Sequence, residues 1–404
     1  MADSPATAKP AATPATPAAK PAGGLEGVVA AKSEICFIDG TAGRLIYRGY
    51  DISDLVENTS FEEVAFLLWD GRLPNRAELT QLKKDLGAAA PLPEHVVTLL
   101  KAMPKQTQPM DALRTAVSAL AATDPDLESN DPAANRRKAV RLTAQFPTVV
   151  ATFHRLRNNE QPIAPDPAQS VAGNFLYMLN GKKPHDTLTR VMDAALVLHA
   201  EHGMNASTFA ARVTAATLAD IHAAITSAVS ALKGPLHGGA NQDVMEFLIS
   251  VKDADTAERM VRELVTSTDP AKRKKVPGFG HRVYKTFDPR AHFLRKMSKQ
   301  LGEAAGNTKW YEMSERLIPI LRDEAVNSKG EKATLYPNVD VFSASTYYTM
   351  GIPLDLFTPI FAIARVTGWT AHVMEQHRNN RIIRPTDDYV GPFDRKVEPI
   401  DRRK

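Results

Sequence analysis

The stretch KVPGFGHRVYKTFDPR, Lys275 to Arg290, decides the class of fold to be expected. Its Gly278-Phe279-Gly280 looks at first like part of a dinucleotide fingerprint. That fingerprint needs a preceding strand and a third glycine, and neither is present. What remains is a loop whose two glycines permit a positive φ or a close approach by another molecule. The histidine His281 follows at once, then the cations Arg282 and Lys285. Asp288-Pro289 next reads as a helix start, with Asp at the N-cap and Pro at the first helical position, and Arg290 lies in the first turn. A plain surface loop with a capped helix is the competing reading of these residues.

Outward from this stretch the pattern is helical nearly everywhere. Apolar residues recur three and four apart in 110–122, 137–156, 167–180, 185–202, 239–250, 255–268, 289–304, 309–323, 341–350 and 354–377. Ser60-Phe61-Glu62-Glu63 starts a helix through Trp69, and Pro147 is expected to kink the 137–156 helix. Asn205 caps an Ala-rich run, Ala206 to Leu232, read as one long helix suited to close packing against a second subunit. The one strand signal is a small hairpin between Ile35 and Ile52, with a turn over Asp39–Arg44. A dozen or more helices and one hairpin exclude an alternating βα fold and imply an all-α one. No P-loop and no nucleophile elbow occurs.

Composition narrows the function. The chain has 404 residues, 43% apolar and 24% charged, enough to bury a sizeable core. A net charge of +4 and a pI near 8.9, with only the short basic run Lys272–Lys275, point to small anions and away from nucleic acid. The single cysteine, Cys36, rules out a disulfide within the chain and a cysteine-based metal site, and fits a reducing cytoplasm. No apolar run is long enough to span a membrane. Residues 1–24, almost all Ala, Pro, Thr, Lys and Gly, are expected to form a disordered tail.

Four further stretches carry chemistry. His199-Ala-Glu-His202 closes a helix, but its spacing is not that of a zinc helix, so a hydrogen-bonded pair is favoured and no metal is expected. His237 is flanked by Gly238 and Gly239 just before a new helix; it is either incidental to a turn or a neutral donor to a developing oxyanion. Asp340, in Asn338-Val339-Asp340 ahead of an apolar helix, reads as an N-cap or as a general base. Arg290, Arg365 (inside an apolar helix) and Arg384 are three guanidiniums, a set suited to a dicarboxylate.

These stretches together resemble the citrate synthase family. The resemblance rests on LHAEHGMNASTFAARV (198–213), GPLHGGANQDVMEF (234–247), PGFGHRVYKTFDPRA (277–291), PNVDVFSAS (337–345) and FTPIFAIARVTGW through NNRIIRP (357–385), with GLEGVVA (24–30) and YRGYDI (47–52) before them. It covers everything after the tail and is closest to the short bacterial and archaeal dimeric type. It implies a two-domain all-α fold with a small N-terminal β-hairpin: a large helical, dimerising domain over 25–234 and 341–404, and a small domain over 235–340 that closes over substrate. It implies a catalytic trio of His237, His281 and Asp340, and oxaloacetate ligands His202, Arg290, Arg365 and Arg384, with Arg384 reaching the partner's site in a homodimer. Coenzyme A is implied to meet Lys275, Val276, Gly278, Phe279, Gly280 and Lys285. No permanently bound cofactor or metal is implied; acetyl-CoA is a co-substrate.

The implied reaction condenses acetyl-CoA with oxaloacetate through an enol, then hydrolyses citryl-CoA. Asp340 takes a methyl proton, His237 hydrogen-bonds the thioester oxygen and His281 polarises the ketone. The rival is 2-methylcitrate synthase, which uses propionyl-CoA; His199 and the HRVYK wording favour citrate. From another class, a non-catalytic helical scaffold of the same fold is the remaining alternative, and the presence of His237, His281 and Asp340 argues against it.

Overall fold

The structure is a computed structural model that describes residues 23–25, 27–267, 275–281, 283–326 and 331–403. Residues 1–22 of the expected tail, Lys272–Lys274 of the basic run and Arg282 lie outside the described residues. An N-terminal unit reaches to Ser33 and holds a short 3₁₀ turn, Gly23–Leu25; Glu34 to Lys404 form a second compact unit.

The second unit opens on three antiparallel strands, β1 (Cys36–Asp39), β2 (Arg44–Tyr47) and β3 (Tyr50–Asp51). The hairpin expected from the sequence is β1–β2, in the register Cys36↔Tyr47 and Ile38↔Leu45. The third strand was not expected. It forms because Arg48 and Gly49 both take positive φ, 48° and 92°, which is the geometry of a tight two-residue turn.

Sixteen α-helices follow among the described residues: α1 (Ile52–Asn58), α2 (Phe61–Asp70), α3 (Arg76–Ala89), α4 (Glu94–Ala102), α5 (Pro109–Leu120), α6 (Pro132–Arg157), α7 (Val171–Asn180), α8 (Asp186–His199), α9 (Ala206–Ala215), α10 (Ile221–Leu232), α11 (Ala240–Ser250), α12 (Ala254–Thr266), α13 (Pro289–Ala304), α14 (Lys309–Asp323), α15 (Val339–Thr349) and α16 (Phe357–Arg378). The fold is all-α with a minor sheet. Local signals explain the boundaries. Ser60 and Glu63 close a reciprocal capping box on α2, a feature worth about 1 kcal/mol. Asp288 caps α13 and Pro289 is its first residue. Helix α6 runs unbroken through Pro147.

One sequence expectation is corrected. The run Ala206–Leu232 is two helices, because Leu218 takes φ 65° and the Asp220 side chain accepts from Ala223 N at 3.0 Å to start α10 afresh. Helices α9 and α10 then pack on each other as a hairpin.

Helix α16 is apolar on all sides and its residues from Phe357 to Val373 are nearly all buried, as expected of a helix at the centre of a bundle. It packs on α2, α6, α8, α9 and α10. A second group forms around α15, which packs on α11, α13 and α14, while α12 packs on α14. His202, His237, His281, Arg290, Asp340 and Arg365 lie where these two groups adjoin.

Candidate active site

The 276–281 loop and the entry to α15 are laced together by the backbone. Gly280 N donates to Tyr336 O at 2.8 Å and Asn338 N to Gly278 O at 2.9 Å, with a bridge between Phe279 and Pro337. Gly278 has φ 80°, and a Cβ there would fall 2.6 and 2.7 Å from methyls of Val341 and Val244. Only glycine lets this loop lie flat on α11 and α15. The lacing fixes His281 and Asp340 in one region. The N-cap of α15 is Asn338, whose Oδ1 accepts from Asp340 N at 2.9 Å. Asp340 is the second residue of the helix, so its carboxylate is released from the capping role.

His281 has a defined tautomer. Its Nδ1 accepts from the backbone N–H of Val283 at 3.0 Å and of Tyr284 at 3.1 Å, which puts the ring proton on Nε2. The Tyr284 ring lies 4.8 Å from the His281 ring, and the Tyr284 hydroxyl is 3.2 Å from His202 Nε2. His202 and His281 are themselves edge-to-face at 5.4 Å. Two imidazoles and a buried phenol thus form one cluster, beside the buried Arg290.

Arg290 is held by its own N-cap residue. Asp288 Oδ1 and Oδ2 accept from Arg290 Nε at 3.0 Å and Nη2 at 2.7 Å, and both residues are almost wholly buried. The fork leaves Nη1 outside it. Arg365, on α16, donates Nε–H to His199 O at 2.7 Å, lies 4.5 Å over the Phe361 ring and has no partner for Nη2 among the described residues. His199 donates Nδ1–H to Ala195 O at 2.8 Å. The expected hydrogen-bonding pair of His199 with His202 is therefore not formed; each turns to a different partner. Among the described residues no group of three or more His, Cys, Asp or Glu side chains is arranged for a metal ion.

His237 sits in the turn between α10 and α11. Its Nε2 faces the backbone N–H of Ser207 at 3.4 Å and Ser207 Oγ at 2.7 Å; Trp369 Nε1 donates to that Oγ at 3.1 Å. The backbone contact asks Nε2 to accept, with the ring proton on Nδ1, whereas the Ser207 hydroxyl, which donates to Asn205 Oδ1 at 2.7 Å, is left to accept from Nε2; the contacts fix a tautomer for His281 and not for His237. Ser207, Trp369 and Tyr284 carry no signal in the sequence for these roles. The sequence signals the cap at Asp288 but not its grip on the Arg290 side chain; Ser207 lies in a quoted motif, two residues beyond the Asn205 cap.

Electrostatics sort these groups. Burial, then Arg365, lowers His237 to about 4; burial, then Arg290, lowers His281 to about 4; and burial, then Arg290, takes His202 well below its ordinary value. All three imidazoles are neutral near pH 7. Asp340 moves the other way, raised to about 6 by burial against the opposing pull of Arg290. A carboxylate of that pKa is ionised at neutral pH yet basic enough to take a proton.

The remaining predicted residues are less concentrated. Val276 and Phe279 are buried, so this loop offers a ligand its backbone; Lys275 and Lys285 are exposed. Arg384 lies exposed in the irregular segment after α16, without a hydrogen-bonding or charged partner among the described residues.

The comparison with known proteins decides what this geometry belongs to. The profile of the family described as "Citrate synthase, C-terminal domain" matches residues 24–386. The chain belongs to the citrate synthase family. It is 48% identical over 382 residues to citrate synthase 2 of Bacillus subtilis, covering 94% of this chain and 98% of that one, and 48% identical over 385 residues to the citrate synthase of Haloferax volcanii, with the same coverage. It is 41% identical over 383 residues to the 2-methylcitrate synthase of Shewanella oneidensis, covering 94% and 97%. Among solved structures, the citrate synthase of Pyrobaculum aerophilum superposes with a TM-score of 0.87 at 36% identity, covering 94% of this chain and 95% of the other. That of Thermoplasma acidophilum, a ternary complex with carboxymethyl coenzyme A and oxaloacetate, gives 0.85 at 32%, covering 94% and 98%. As a member of the citrate synthase family the chain is an enzyme, a transferase, with the citrate-forming activity for which the family is named.

Proposed function

We propose that this activity is carried by Asp340, His237 and His281, acting on acetyl-CoA and oxaloacetate. The observation that carries the reading is geometric: the loop before His281 is laced to the entry of α15, and Asn338 takes the cap there, which leaves the Asp340 carboxylate free; the raised carboxylate and lowered imidazoles agree with it. Asp340 removes a methyl proton from the acetyl thioester. His237 donates a ring N–H to the thioester oxygen, so negative charge never develops fully as the enol forms. The enol carbon attacks the ketone carbon of oxaloacetate, while His281 Nε2–H polarises and then protonates the ketone oxygen. Water then cleaves the citryl thioester, releasing citrate and coenzyme A.

His202, Arg290 and Arg365 hold the oxaloacetate carboxylates and ketone, and the 275–280 loop with Lys285 meets coenzyme A. Arg290 is already balanced by Asp288 and offers the Nη1 outside that fork, while Arg365 has no ion pair among the described residues and offers its unpartnered Nη2; these are the donors proposed for the oxaloacetate carboxylates. The small domain, expected over 235–340, would close on the large one when oxaloacetate bridges them; α15, starting at Val339 and packed on α11 and α13, would move with it. The ternary complex of the Thermoplasma acidophilum relative supports the substrate pair.

The functional unit in this reading is a homodimer in which Arg384 serves the partner's site. Supporting it, Arg384 is exposed in an irregular segment whose Ile382, Tyr389, Val390, Phe393 and Val397 are also exposed, an apolar set suited to burial on a second copy. The cytoplasm is the proposed setting; no described helix is long and apolar enough to cross a membrane. The test of function is thiol release with oxaloacetate, comparing acetyl-CoA with propionyl-CoA. A kcat/KM higher for acetyl-CoA supports citrate synthesis, and a preference for propionyl-CoA assigns 2-methylcitrate synthesis instead.

A further inference from the structure

A buried line of polar groups runs from the His202 loop to the root of the C-terminal segment, and it uses none of the residues assigned above to chemistry. It starts at Glu201, which is fully buried against α16. Gly368 makes the room: a Cβ there would fall 2.2 Å from Glu201 Oε2 and 2.4 Å from Ala200 O. Glu201 Oε1 lies 3.0 Å from His372 Nε2, and His372 Nδ1 lies 3.1 Å from Arg212 Nη1. An arginine only donates, so Nδ1 is the acceptor and Nε2–H points at Glu201. Arg212 Nε donates to Gln376 Oε1 at 3.1 Å. Gln376 Nε2 then donates to Asn380 Oδ1 at 3.0 Å and to Arg381 O at 3.3 Å, and Asn380 Nδ2 donates to Ala216 O at 3.1 Å. Glu375 adds an ion pair to Arg212 at 2.6 Å.

His372, Arg212 and Gln376 are all 5% exposed or less. Buried polar chains are no more stable than well-packed apolar side chains of the same volume. What they add is direction, since each link fixes the donor and acceptor of the next. This line begins one residue before His202 and ends three residues before Arg384. Three residues span at most about 10 Å, so the place where Gln376 grips the chain sets where Arg384 can reach.

We propose that Arg212, His372 and Gln376 are positioning residues for oxaloacetate binding: they tie the loop that carries His202 to the root of the segment that carries Arg384. The proposal rests on the reading of Arg384 as an oxaloacetate ligand. Its test is a double-mutant cycle in the full-length enzyme. Gln376→Leu keeps the volume and cuts all three of its links, to Arg212, Asn380 and Arg381. It should raise KM for oxaloacetate about tenfold, with kcat and KM for acetyl-CoA within about twofold of wild type, an effect of about 1.4 kcal/mol on one substrate. In an Arg384→Ala background the same substitution should add nothing, because the group it positions is gone. Asn380→Ala, which removes the links to Gln376 and Ala216 but keeps those of Gln376 to Arg212 and Arg381, should shift the same constant in the same direction by a smaller factor and serves if Gln376→Leu does not fold. Equal effects of Gln376→Leu with and without Arg384, or losses of kcat and thermal stability with KM unchanged, would overturn the proposal and leave the line a structural feature. An Arg384→Ala enzyme with unaltered KM for oxaloacetate would instead overturn the role of Arg384, and this proposal with it.

Discussion

The Tyr284 hydroxyl and His202 Nε2 are within hydrogen-bonding distance, 3.2 Å apart, while the Tyr284 backbone N–H and ring hold His281 from the other side. One residue thus orients two imidazoles of the candidate site. Tyr284→Phe keeps the ring and the backbone donor and removes only the hydroxyl. A single net hydrogen bond is worth about 0.5–1.5 kcal/mol, so KM for oxaloacetate should rise about two- to tenfold while kcat stays near wild type. Steady-state kinetics at saturating acetyl-CoA checks this; a collapse of kcat would show that the hydroxyl acts in the chemical step.

The pH profile follows from the protonation states. Asp340, raised to about 6, must be ionised to accept a proton, so kcat/KM should fall about tenfold per pH unit below about 6. His237 and His281, both lowered to about 4, are already neutral there and add no limb between pH 6 and 8. A rate profile over pH 5–8 with a single acidic limb near 6 is expected. A limb centred near 7 would point to an imidazolium in the mechanism.

Away from the site, Asp193 on α8 accepts from Phe61 N at 3.2 and 3.3 Å and so caps α2, while the neighbouring Glu62 accepts from Val171 N at 2.8 Å and caps α7. Burial, then Glu62, raises Asp193 to about 7. A carboxyl raised in the folded state contributes its stability below the unfolded pKa of about 4 and loses it as pH rises through 7. Asp193→Asn keeps an acceptor for Phe61 N and removes the charge. Urea unfolding should find this variant more stable than wild type by about 1–3 kcal/mol at pH 8, with the difference shrinking toward pH 4. A variant less stable at pH 8 would refute the buried-charge account.

The helices were legible in the sequence wherever apolar spacing and a capping residue agreed, as at Ser60 and at Asp288-Pro289. The reading failed at Ala206–Leu232, where uniform Ala content hid the start signal at Asp220. It also passed over α1 and α4, which are short, and α3, whose sequence RAELTQLKKDLGAA is mostly charged and polar and gives a thin apolar stripe. The histidines and arginines stood out because glycine or an apolar helix surrounded them. Ser207, Tyr284 and Gln376 did not: each acts through a partner 30 or more positions away, and such pairings exist only in the folded chain.

The shared site is tested by complementation. Asp340→Ala and Arg384→Ala, each impaired alone, are co-refolded in equal amounts. If Arg384 serves the partner, one site of each mixed dimer collects both defects and the other neither. About half the dimers are mixed under random pairing, so about a quarter of all sites should be intact. Activity no higher than the mean of the two parents, with mixed dimers verified by mass, would show that Arg384 serves its own chain.

The central claim is that Asp340 is the base, freed for that role because Asn338 caps α15. Asp340→Asn preserves shape and leaves the cap untouched. Thiol release from acetyl-CoA with oxaloacetate, measured on the folded variant, should fall by about 10²–10⁴-fold in kcat. Turnover near that of wild type would contradict the account and return Asp340 to a purely structural place at the start of the helix.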